Sequence, residues 1–144
     1  MKQPKKSLFV SYELAIKLKE NGFGEEFNED CFGYYDIQSK QFYFAEMDER
    51  KVASYIPSIL CSAPIYQQVV DWLDLKGYNI SIKPEYYYEG INWNWQIFWY
   101  LPQEEWTEFL VNDGTMMYGD NGEYNTRLEA TIAAIEKALE LIKL

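Results

Sequence analysis

The chain has 144 residues, 48% of them hydrophobic and 18% aromatic, enough apolar material for one packed core, which excludes a disordered or fibrous polypeptide. Thirteen Lys and Arg against 23 Asp and Glu leave a net charge of −10, a field that repels nucleic acid and anionic membrane surfaces. There is no histidine, so any catalysis or metal binding has to use carboxylates, tyrosine, lysine or a thiol.

Residues 1–7 are basic and are predicted to form a flexible tail. The apolar run that follows, Leu8-Phe9-Val10, is too short for the h-region of a signal peptide, and no stretch suits a membrane span; a cytoplasmic chain is expected. Ser11 then caps a predicted helix, Tyr12–Glu20, with Gly22 as its left-handed stop. Residues 24–30 are acidic and aperiodic, a solvated loop. Strands are predicted at 31–37 and 41–45, joined as a hairpin across Gln38-Ser39-Lys40, with Phe42 and Phe44 on one face and Tyr43 on the other. Residues 46–51 read as a charged turn, and the pattern of 52–61 is too mixed to assign.

Ser62-Ala63-Pro64 predicts a helix start, because proline at the first helical position loses no intrahelical bond. The helix over 64–76 puts Ile65, Val69, Trp72 and Leu73 on one stripe and ends at Gly77. Tyr78, Ile80 and Ile82 then alternate with Asn79, Ser81 and Lys83, the period of a strand with one buried face. Residues 92–101 form the most aromatic strand. Its odd positions, Trp93, Trp95, Ile97, Trp99 and Leu101, make a core face, and its even positions make a polar-aromatic second face. Two Asx-Gly turns bracket a short strand at 115–119, and from Thr126 onward Leu128, Ile132, Ile135, Leu139 and Ile142 recur at helical spacing. The order α-β-β-α-β-β-β-α predicts one α+β domain over 1–144, a mostly antiparallel sheet covered on one face by about three helices.

The second face of that aromatic strand is the candidate binding surface. Asn92, Asn94, Gln96, Phe98 and Tyr100, joined by Tyr43 and Tyr87 from other strands, mix amides, hydroxyls and rings in the way protein interfaces and ligand platforms do. The alternative is that loops cover this face, or that Phe98 and Tyr100 fill a second small core. Tyr86-Tyr87-Tyr88 offers a stacking edge for a sugar or peptide, or is simply a strand with rings on both faces. Pairs such as Asp48 with Glu49 and Glu104 with Glu105 have the composition of a carboxylate hydrolase, but an acidic chain always contains such pairs. The runs Glu25–Asp30 and Asp120–Glu123 lack the ligand pattern of a calcium loop and read as solvated turns. Cys31 and Cys61 stand in no Cys-x-x-Cys arrangement and read as reduced, partly buried thiols without an imidazole to activate them. No metal site and no cofactor is signalled.

Three stretches carry a resemblance. They are Ser11 through Phe23, the segment Ala63-Pro64-Ile65-Tyr66-Gln67-Gln68-Val69-Val70-Asp71-Trp72-Leu73, and Thr126 through Leu144. Together they resemble small proteins of gut Bacteroidetes, their phages and mobile elements, a group with no established activity. The resemblance implies a cytoplasmic accessory protein that binds rather than catalyses, and it transfers no site residue. The sequence therefore predicts a non-enzymatic interaction domain with a protein partner, able to form a homodimer through its aromatic face. A small-ligand or glycan-binding module and a carboxylate-based hydrolase are the alternatives.

Overall fold

The computed structural model describes residues 5–23, 31–45, 59–100, 115–119 and 124–142. The fold is α+β, with three α-helices and antiparallel strands among the described residues. The strands fall into two three-stranded sheets rather than one, and the chain divides into two compact units, Met1–Trp72 and Leu73–Leu144. Among the described residues no helix is long and apolar enough to cross a membrane.

In the first unit, Lys6–Leu8 makes a single 3-10 turn that takes in the last two residues of the expected tail, and α1 (Tyr12–Glu20) follows. The Ser11 hydroxyl accepts from the Leu14 N–H at 3.2 Å, and Gly22 ends the helix at φ 90°, as the sequence predicts. This helix buries Leu14, Ala15 and Leu18 and packs on β3 (Leu60–Ala63). Each such fully buried leucine contributes about 1.5–3 kcal/mol of apolar transfer.

Strand β1 (Gly33–Asp36) is central, between β2 (Phe42–Phe44) and β3. Its buried residues are Gly33 and Tyr35. Phe9 lies 4.9 Å from the Phe42 ring and 5.8 Å from Phe44, while Tyr43 turns the other way and stacks on Tyr34. The Tyr35 hydroxyl donates to the Val10 carbonyl at 2.6 Å, so the ring fills the core and its polar tip is satisfied.

The helix predicted from Pro64 begins two residues later, as α2 (Tyr66–Leu75). Ser62 and Ala63 belong to β3 instead, and Ile65 forms a bridge with Phe9. The N-terminus is set by Gln68, whose side-chain oxygen accepts the Ile65 N–H at 3.1 Å, half of a capping box. Trp72 is buried and meets Phe23 edge to face at 5.4 Å.

In the second unit β4 (Tyr78–Tyr87), β5 (Gly90–Tyr100) and β6 (Thr115–Gly119) pair in that order. Gly77 at φ 91° lets the chain turn out of α2 into β4. Ile80 pairs with Ile97 and Ile82 with Trp95, so these side chains share one face. Helix α3 (Arg127–Ile142) packs on β4 and β5. The sequence places Leu128 on the buried stripe of this helix, but Leu128 is exposed, and the buried set is Ala130, Ala134, Ile135, Ala138 and Leu139. Three of the five buried positions are alanines, so the buried stripe of this helix is marked by small residues as well as by Ile135 and Leu139.

Candidate binding surface at the β4–β5 hairpin

Register fixes which side chains share the second face of this sheet. Asn79 lies opposite Phe98, Ser81 opposite Gln96, Lys83 opposite Asn94, Glu85 opposite Asn92 and Tyr87 opposite Gly90. Asn92, Asn94, Gln96 and Phe98 therefore stand on one face with Tyr87, as the sequence predicts, and Tyr100 continues their alternation by its backbone position. Trp95 and Ile97 are buried on the opposite face. Tyr43 is not part of this surface, because β2 belongs to the other sheet.

The predicted solvent exposure of Asn94 is corrected: the residue is only 9% exposed. Its Nδ2 donates to Glu85 Oε1, and the Tyr87 hydroxyl donates to Glu85 Oε2 at 2.6 Å, so one carboxylate joins the two residues. With Nδ2 committed to Glu85, the buried Asn94 Oδ1 is an acceptor without a donor. Asn92, Gln96 and Phe98 are half-buried.

The end of the hairpin is where large side chains reach solvent. Tyr86 is 76% exposed, Tyr87 53%, Tyr88 107% and Ile91 47%. Tyr88 and Glu89 form the turn, and Gly90 adopts φ 153°, a conformation favouring glycine. Beside it lies an open groove of ≈ 630 Å³ lined by Tyr87, Tyr88, Glu89, Gly90, Ile91, Asn92 and Asn125. Of these lining residues, Tyr87 and Asn92 are among the sequence-predicted set. Glu85, Tyr88, Ile91 and Asn125 complete the surface, and Glu89-Gly90 directly after three tyrosines is the turn signal that could have placed it.

The other chemistry weighed from sequence has a different outcome. Cys31 and Cys61 are both buried and are not joined in a disulfide. Burial pushes the Cys61 thiol up to about 11, against the opposing pull of Lys19, and its sulfur donates to the Ala15 carbonyl at 3.4 Å. Such a thiol is ionised to roughly one part in 10⁴ at neutral pH, which gives no useful nucleophile. Among the described residues no three Cys, Asp or Glu side chains gather as a metal site. Asp48, Glu49, Glu104, Glu105 and the acidic runs at 25–30 and 120–123 lie outside the described residues. No protein-family model, no curated protein and no solved structure matches this chain.

Proposed function

We propose that this chain is a protein-interaction domain, an accessory protein of phage or mobile-element type, which engages a protein partner through the β4–β5 hairpin end and the adjoining second face. The observation that carries the reading is the exposure of Tyr86, Tyr87, Tyr88 and Ile91 together at one end of one hairpin. Large apolar side chains clustered in solvent mark interaction sites, and tyrosine supplies contact area at low entropic cost. A glycan module is less well supported. Tyr86 pairs with Ile91 and Tyr87 with Gly90, so successive rings leave opposite faces of β4 and form no single flat platform.

The test compares two baits in host-cell lysate, the native chain and a Tyr87→Ala/Tyr88→Ala variant. A specific protein retained by the native chain and lost by the variant is the expected result. Recovery of the same proteins by both baits would sink the reading.

A further inference from the structure

We infer that the partner segment received by the hairpin groove carries arginine, with the guanidinium lying over Tyr87 or Tyr88 and paired with a carboxylate of Glu85 or Glu89. This rests on the reading of the hairpin end as a protein-binding surface and adds the chemistry of what binds there.

Charge complementarity leads to it. Among the described residues the groove and its rim hold two carboxylates, Glu85 and Glu89, and the groove lining contains no cation. The donors that hold Glu85, the Tyr87 hydroxyl and the Asn94 amide, are both neutral, so its negative charge is left for a ligand. Lys83 is on the same face two positions earlier and sets a limit to the negative patch on that side.

The rings select the kind of cation. A tyrosine face attracts positive charge, and the planar guanidinium both stacks on a ring and meets a carboxylate in a two-pronged bond, which a lysine ammonium does not. The hydrogen bond from Tyr87 to Glu85 restrains the ring and the carboxylate before any ligand arrives, which lowers the ordering cost of binding. The net charge of −10 draws a basic segment toward the chain from a distance.

The test uses calorimetric titration and amide chemical shifts, with a short peptide of arginines spaced by glycine as probe. A matched peptide carrying neutral citrulline is the control. At about 0.05 M salt the arginine peptide should bind on the order of tenfold tighter than the citrulline peptide, with shifts centred on Tyr87, Glu89, Gly90 and Asn92. A Tyr87→Ala/Tyr88→Ala variant, which removes both rings at exposed positions, should lose about tenfold, and undiminished binding by it would overturn the inference. Equal binding of the two peptides, shifts scattered over the whole acidic surface, or no binding at all would each overturn the inference. If the lysate comparison succeeds where the arginine peptide fails, the surface stands and only the partner chemistry falls. If both fail, both fall.

Discussion

Trp93 exchanges both of its backbone hydrogen bonds with Tyr124: the Trp93 N–H reaches the Tyr124 carbonyl at 2.8 Å, and the Tyr124 N–H returns to Trp93 at 3.3 Å. With its N–H and C=O spent on that side, Trp93 faces Pro84 across the hairpin as a non-hydrogen-bonded pair. Pro84 therefore turns its donorless nitrogen toward the outer edge of β4, where no strand pairs among the described residues. Proline at this position interrupts a ten-residue edge that another chain would otherwise extend.

Replacing it should remove that protection. Pro84→Val supplies an N–H on the open edge and should raise self-association without weakening the β4–β5 ladder. Sedimentation velocity over a concentration series reads this directly. A variant that associates no more than the native chain would mean that the outer edge is protected in another way.

Gly33 is required by space. A Cβ built there would stand 2.5 Å from Phe42 Cε2 and 3.1 Å from Phe9 Cε1. Gly33→Ala should destabilise the first unit by about 1–3 kcal/mol as the rings are forced aside, and Gly33→Ala/Phe42→Leu should recover part of it. Urea unfolding of the two variants measures both effects.

How far the sequence carried depends on how strongly each element signals itself. Ser11 and Gly22 mark both ends of α1, and the alternation about Trp95 and Ile97 marks β5 and its buried face, so these were legible. Strand β3 was not. Its buried residues, Cys61 and Ala63, are small, and four residues leave no room for a period to show. Pro64 follows a strand and precedes the helix by two residues, and the sequence does not separate these cases because a proline that follows a strand and one that opens a helix look alike locally. The candidate surface was half legible. The sharing of a face by Asn92, Asn94 and Gln96 follows from period two, but the place of Tyr87 on that face and the bonding of Asn94 and Tyr87 to one carboxylate depend on strand register, which joins Glu85 to a position nine further along the chain.

Asn94 gives a test of that bonded group. Asn94→Ala loses the bond to Glu85, worth about 1.5–3 kcal/mol, and also removes a buried acceptor without a donor, whose cost is of similar size, so stability should change by less than about 1 kcal/mol. Asn94→Asp should behave differently, because it sets a second carboxylate against Glu85 with no donor between them. That variant should be clearly less stable at pH 7 and should recover as pH falls toward about 4, where one carboxyl takes up a proton. Urea melts of both variants at the two pH values check the pair, and equal, pH-independent losses would show that Asn94 is held by packing alone.

Two buried groups of the first unit couple its stability to alkaline pH. Burial holds the Cys61 thiol at about 11 against an ordinary 9.0, and the Tyr35 hydroxyl is also raised, by burial first and then by Tyr66, Glu13 and Cys61. Between pH 9 and 11 the unfolded chain loses the Cys61 proton while the folded chain keeps it, so unfolding is favoured as pH rises. The stabilisation is fully present below pH 9, and up to roughly 2.7 kcal/mol is lost across that window. Tyr35 continues the decline from its unfolded value of 10.0 upward. Cys61→Ala should be less stable than the native chain at pH 7, because it gives up the sulfur's packing and its bond to Ala15, yet its stability should fall less steeply above pH 9. Urea midpoints measured from pH 7 to 11 distinguish the two chains. Parallel curves would mean that Cys61 is as accessible in the folded chain as in the unfolded one, and a thiol reagent such as Ellman's would then react with it as fast as with a free thiol rather than at the rate of unfolding.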